Sequence, residues 1–325
     1  MKPVVPVMTG FSFLMNTRSR LSGSAYLYAG LAVLLWSTVS TAFKLSLRHL
    51  TPLGLLFFSS LFASVFLAVY GFIIHKPNAF KGFLPHLKRS LLAGILNPFV
   101  YYLMLFNAYH RLPAQQAQVL NYTWAIVLPL MTLAVMKERL RALDLIALLL
   151  SFGGVVVIST RADLSGLKLE DPLGVAIAIS TSLVWASYWI LNMVDSRPAE
   201  LKLMYNFISG TAFILLGSLL ARVWGAGAWF VEGASVAKGL AGGLYVGLFE
   251  MGLTFLLWYK ALEKASSTAA VSNLIFVTPF LSLGFITLIL KESIAPATII
   301  GLIIIILSNG LQKASHRGTK TRNRQ

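Results

Sequence analysis

Glu250 is the residue with the most chemistry to offer. It stands in Gly247-Leu248-Phe249-Glu250-Met251-Gly252, near the middle of a long apolar run. A charge at the centre of a membrane-crossing helix costs about 2.5–3.5 kcal/mol on insertion scales, so such residues face an interior cavity and serve ion or solute pathways. A carboxyl placed there can carry a proton or meet a cationic group on a solute. The plainer alternative is a hydrogen-bonded Glu that holds helices together. Thr254, Leu257 and Trp258 continue its face at helical spacing.

Three further apolar runs carry polar residues. Asn97 precedes Pro98, which frees a backbone carbonyl and can kink a helix, and Tyr101 lies one turn on. Gln115, Gln118, Asn121 and Tyr122 open the next run; Gln118, Asn121 and Ala125 share a face, with Trp124 beside them. Ser272, Asn273 and Thr278 belong to a later run. Polar contacts between helices, at about 0.6 kcal/mol apiece, explain any one of these residues. Their concentration in four runs points to a cavity lining. Trp36, Trp185, Tyr188 and Trp189 fit an aromatic pocket, whereas Trp224 and Trp229 read as interfacial belt residues.

Other chemistries find little support. The chain has no Cys, and its five His show no ligand spacing such as His-x3-His, so no metal or cofactor is expected. No Walker-type loop and no Gly-x-Ser-x-Gly elbow is present, and no catalytic residue is expected.

The elements that would position these residues follow from composition. Of 325 residues 57% are hydrophobic and 12% charged, against about 25% charged in a soluble domain. Ten runs, near 24–43, 53–74, 90–109, 114–136, 142–160, 172–193, 203–224, 239–259, 266–290 and 295–312, approach the roughly 20 residues that cross a bilayer. They are continuous rather than alternating, which excludes a β-barrel. The net charge of +16 looks at odds with this greasiness. With the N-terminus inside, most basic residues fall on the cytoplasmic side, among them Arg18, Arg20, Lys76, Lys81, Lys88, Arg89, Lys137, Arg139, Arg141, Arg197 and Lys202. The bias predicts both termini in the cytoplasm. The basic tail follows a span directly and reads as a segment facing anionic lipid, not nucleic acid.

The chain also repeats. At an offset of 153, Gly94 falls on Gly247, Asn97 on Glu250, Ala108 on Ala261 and Ala117 on Ala270; Trp36 matches Trp185 more loosely. Each half holds five spans, an odd number, so the second half enters the membrane inverted. Inverted repeats are typical of secondary transporters with a midplane site.

At this point the residues resemble the drug/metabolite transporter superfamily, in its ten-span EamA-like branch. The carriers are Trp36 and Lys44 in span 1, Pro52 opening span 2, Asn107-Ala108-Tyr109 closing span 3, Tyr259-Lys260-Ala261-Leu262, residues 267–270, and Pro279 thirteen residues before Glu292. The resemblance covers residues 25–312. It implies two inverted five-helix repeats around a central cavity and inner-membrane transport of small metabolites, often export. Ala125 stands where an equivalent proline would fall, and Phe57-Phe58-Ser59-Ser60 where many relatives have an arginine.

The expected protein is therefore an all-α integral membrane protein of ten helices, not an enzyme, in a bacterial inner membrane. Residues 1–23 form an N-terminal tail, 24–160 and 172–312 the two repeats, and 313–325 a basic tail. Its partners are the bilayer and a small solute, with no nucleic acid; monomer and homodimer both fit. The expected function is alternating-access transport of an uncharged, zwitterionic or cationic metabolite such as an amino acid, in the export direction. A phosphorylated solute would want a deep Arg or Lys, and none is seen. Trp36, Asn97, Tyr101, Gln118, Asn121, Trp124, Trp185, Tyr188, Glu250, Thr254 and Asn273 are the expected solute-binding residues, and Glu250 the proton-coupling group. Efflux of lipophilic cations in exchange for protons is the alternative. An intramembrane enzyme is remote, because no Asp/Glu/His cluster marks one interface.

Overall fold

The computed structural model describes residues 23–135, 142–159, 171–225, 227–265, 271 and 274–322. Every named element among them is helical, and the single β contact is an isolated bridge between Leu50 and Phe230. Among the described residues six helices are long and apolar enough to cross a membrane: Gly23–Ser46, Pro52–His75, Asn78–Arg111, Pro172–Met193, Ala199–Val223 and Val236–Lys264, which are spans 1, 2, 3, 6, 7 and 8. Ile146–Ile158, Leu274–Leu290 and Pro296–Ser308 are shorter apolar helices in spans 5, 9 and 10. Span 4 is two helices, Ala114–Asn121 and Trp124–Val135, broken at Tyr122 and Thr123.

Helix starts follow local rules. The Thr51 side chain accepts a hydrogen bond from Gly54 N at 3.0 Å, with Pro52 in the first turn. Asp171 caps Gly174 N at 2.8 Å with Pro172 beside it, and Arg111 bonds the same carboxylate at 3.0 Å. An oxygen at the cap satisfies an orphan N–H, and proline's missing donor is no loss there. Lys291, in the left-handed region at φ 60°, ends span 9.

Lipid tails are as apolar as leucine, so packing of small residues rather than hydrophobic burial brings spans together. A Cβ on Gly94 would lie 2.6 Å from Asn206 O and Gly210 N, which welds span 3 to span 7. A Cβ on Gly247 would lie 2.5 Å from Ser59 O and 3.1 Å from Ala63 N, which welds span 8 to span 2. Gly94 and Gly247 are the pair matched by the repeat. Their contacts extend it to spans 2 and 7, with Ser59 answering to Asn206 and Ala63 to Gly210. Spans 5 and 10 cross at Gly154 and Gly301, each within 3.0 Å of the other's carbonyl once a Cβ is added. Large apolar side chains such as Ile73, Leu149, Phe152, Leu220 and Leu288 point outward, the surface a bilayer covers.

Connections at the same end of the molecule bond to one another. His75 meets Glu200, and Arg197 meets Ser90, at the end assigned to the cytoplasm. At the other end Thr51 N donates to Trp229 O, and Ala114 N donates to the Glu292 carboxylate. Trp229 departs from its expected place in a membrane belt. It stacks on Phe57 at 4.4 Å, under the Arg222 guanidinium. Trp224 is exposed, as a belt residue would be.

Candidate functional site

The two residues matched at the centre of the repeats, Asn97 and Glu250, both lie where a long helix loses its regular winding. In span 3 the irregular turn is Ile95–Val100, with Asn97 itself extended at φ −147°, ψ 120°. Pro98 supplies no N–H and clashes with the preceding turn, so the helix must open there. In span 8 the turn Gly247–Gly252 is wound one residue wider than an α-helix. Glycine at both ends of that segment eases the distortion, and such bulges often mark functional sites.

Around these breaks the structure gathers side chains from five spans, the first, third, fourth, sixth and eighth. Tyr102 donates to Glu250 Oε1 at 3.0 Å, while Oε2 has no hydrogen-bond partner and the Trp36 indole lies beside the carboxylate. Trp36 meets Phe255 edge-on at 5.8 Å, and Phe255 meets Trp185 at 5.8 Å. Trp185 leans on Tyr101 at 4.6 Å and on Tyr188 at 6.0 Å. Asn121 donates to Thr181 Oγ1 at 2.8 Å and to the Tyr101 hydroxyl at 3.4 Å. Asn97 is fully buried, and neither polar atom of its amide has a hydrogen-bond partner; the Tyr188 hydroxyl is its polar neighbour. Buried polar groups are normally paired, so orphaned ones call for an explanation.

Of the expected residues, Trp36, Asn97, Tyr101, Asn121, Trp185, Tyr188 and Glu250 thus fall within one constellation. Three do not join it through any bond. Thr254 is buried, but its hydroxyl is taken by the Phe249 carbonyl five residues back. Gln118 is buried with its side-chain oxygen unpartnered. Trp124 touches only the Tyr122 ring among the described aromatic contacts, at 6.4 Å. Asn273 lies outside the described residues. Residue-by-residue reading missed Tyr102, the direct partner of Glu250, and Phe255, which bridges the two tryptophans. The offset of 153 carries Tyr102 onto Phe255, so the two hold equivalent places in the repeats.

The described residues also form two clefts at the end opposite the basic face, of about 360 and 240 Å³, which share Glu292. Glu292 accepts from Ala114 N at 3.1 Å, and Gln115 fixes the same connection by bonds to Ser293 O and Ala295 N. This is a structural clamp on the start of span 4. No group of three or more His, Cys, Asp or Glu placed to hold a metal is found among the described residues.

Comparison with known proteins agrees with this architecture. The model of the EamA-like transporter family matches twice, at residues 23–160 and 172–311. An "Uncharacterized transporter" of Archaeoglobus fulgidus is 26% identical over 292 residues, spanning 88% of this chain and 96% of that one. Another, of Clostridium kluyveri, is 25% identical over 228 residues, 70% of this chain and 72% of its own. Protein PecM of Dickeya dadantii is 23% identical over 223 residues, 67% of this chain and 70% of its own. A solved crystal structure superposes with a TM-score of 0.61 over 93% of this chain and 99% of its own, at 20% identity, which shows a shared fold. One family model matches each half of the chain, and the two matches together cover most of it: the chain belongs to the EamA-like transporter family.

Proposed function

We propose that the constellation around Asn97 and Glu250 is the solute site of a secondary transporter that exports a small metabolite across a bacterial inner membrane by alternating access. The solute is uncharged, zwitterionic or cationic, with an amino acid as the type case. The observation that carries the reading is the pair of matched helix breaks with orphaned polar atoms on both, the Asn97 amide and Glu250 Oε2. Transporters place solute and ion sites where membrane helices are interrupted near the midplane. Glu250 offers a full or partial negative charge to an ammonium group and can exchange a proton for it. Asn97 and Asn121 supply hydrogen bonds, and the rings of Trp36, Tyr101 and Trp185 supply the walls.

Untargeted metabolite profiling tests this. Medium from cells overexpressing the protein should be enriched in one small amino-containing solute relative to a deletion strain, and Glu250→Gln should abolish the enrichment. Medium that is the same for all three strains contradicts the reading. The cluster of Trp36, Phe255, Trp185 and Tyr101 beside one carboxylate also suits a lipophilic cation, since aromatic faces attract positive charge. Breadth separates the two readings: a multidrug exporter raises resistance to several unrelated cations, whereas a metabolite exporter changes one solute or a few.

A further inference from the structure

Lys44 stands out at the end opposite the basic face. A lysine near a span end commonly extends its ammonium toward lipid headgroups. Lys44, close to the end of span 1 at Ser46, instead lines the smaller of the two clefts, between spans 1 and 3 and the end of span 9. It is partly buried there. Arg48 lines the same cleft, in a turn that continues the helix through the bond from Leu47 N to Phe43 O. His110 adds an imidazole from span 3. Among the described residues, the side chains of these three make no hydrogen bond and no ion pair. Other basic groups at this end are engaged: Arg111 bonds Asp171 at 3.0 Å, and the Arg222 guanidinium lies over the Trp229 ring at 4.4 Å.

The rest of the cleft limits what can sit there. Glu292 is its acidic residue, and the Glu292 carboxylate already accepts from Ala114 N at 3.1 and 3.3 Å. Two positive charges, from Lys44 and Arg48, against one negative leave a balance of one positive charge. That balance matches a singly charged anion, whereas a dianion would bring a second negative charge against Glu292 with nothing to offset it. The Tyr109 hydroxyl is taken by Ser40 at 2.7 Å, so this residue serves as wall. Leu47 and Leu290 give the cleft an apolar side. Its volume of about 240 Å³ lies below the roughly 300 Å³ at which pockets for drug-sized ligands begin, so the ligand is small.

An ammonium partly withdrawn from water without a counter-ion is costly, and an oxyanion offsets that cost through charge-assisted hydrogen bonds. We propose that this cleft is a binding site for a small monocarboxylate. Lys44 and Arg48 hold the carboxylate, His110 stands on the facing wall, and the two leucines meet the alkyl part. The site stands on its own geometry; that the carboxylate belongs to the solute handled at Glu250 rests on the transport reading. An amino acid would then use two contacts in succession, its ammonium at Glu250 and its carboxylate at this cleft on the way out.

The chain has no cysteine, so Leu290→Cys places a single reporter thiol in the wall of the cleft and leaves its charged residues in place. The full chain, purified in a neutral detergent, is treated with an anionic methanethiosulfonate at constant ionic strength, with acetate or alanine added. Both should slow labelling by the factor 1 + [L]/Kd; methylammonium, a cation without a carboxylate, should not. Lys44→Met in the reporter protein should weaken the protection roughly 10- to 100-fold, the worth of a hydrogen bond to a charged group. Arg48→Gln, at an exposed position, should weaken it too and guards against a misfolded Lys44 variant. The proposal is overturned if neither acetate nor alanine slows labelling, if methylammonium slows it equally, or if both charge variants are protected as well as the parent. It is also overturned if only inorganic phosphate or added phosphatidylglycerol protects, which would assign the cleft to a phosphate group. Labelling in detergent reads occupancy without any solute movement, so its failure and a failure of transport are separate results.

Discussion

Replacing Gly247 by alanine should loosen the joint between spans 8 and 2, and the size of the effect follows from the geometry. The new Cβ would lie 2.5 Å from Ser59 O, 2.9 Å from Phe62 Cβ and 3.1 Å from Ala63 N. Two of these are backbone atoms, which cannot rotate aside. Ordinary contact begins near 3.4 Å, so the helices must part by about 0.9 Å, or span 8 must distort, where overpacking typically costs about 1–3 kcal/mol. Gly94→Ala should cost a similar amount, because its Cβ meets Asn206 O and Gly210 N at 2.6 Å. Gly30→Ala and Gly284→Ala are the controls, with nothing within 4 Å of the added methyl. The assay is thermal unfolding of the detergent-solubilised protein followed by tryptophan fluorescence. The account predicts lower midpoints for the Gly94 and Gly247 variants and near-wild-type midpoints for the controls. Four indistinguishable midpoints would refute the claim that these glycines join the repeats.

Other consequences concern the two ends of the molecule. Asp195 is buried in the span 6–7 connection, and burial pushes its carboxyl up; bonds from the Arg197 side chain and backbone N–H more than offset this and hold it below the ordinary carboxylate range. A depressed folded-state value means that the stabilisation is present above the unfolded value of about 3.9 and fades as pH falls below it. Asp195→Asn should therefore destabilise at neutral pH by about 1–3 kcal/mol, with the gap from wild type closing in acid; parallel unfolding curves from pH 7 to pH 3 would count against the pairing. Glu292→Ala removes the acceptor for Ala114 N and should cost about 0.5–2 kcal/mol, the usual loss of a helix cap. An unfolding midpoint equal to wild type would show that the clamp contributes nothing.

Much of the architecture was legible in the residues. Run length disclosed the spans, and an odd number of them per half implied inversion. Pro98 marked the break in span 3 before any coordinates, and the offset of 153 set Glu250 at the equivalent place in span 8. The wide turn in span 8 was not legible, because glycines at 247 and 252 permit it without requiring it. That turn also explains why helical spacing from Glu250 misplaced Thr254. A turn wider by one residue lets the Thr254 hydroxyl reach the carbonyl of Phe249, five residues back, and the rest of the helix is rotated accordingly. Tyr102 escaped notice because a tyrosine beside Tyr101 in an apolar run looks like ordinary core; only the three-dimensional approach of spans 3 and 8 makes it the donor to Glu250. Trp229 was taken for a belt residue because the stacking of its connection on span 2 depends on residues far away in the chain.

The central claim is that Glu250 couples solute movement to protons at a midplane site. Counterflow of labelled amino acids into proteoliposomes, across a pH series and for wild type and Glu250→Gln side by side, tests it most directly. The account predicts wild-type transport whose rate changes with pH, and a Glu250→Gln protein that is slow or has lost that dependence. Equal rates and superimposable pH profiles for the two proteins would contradict it.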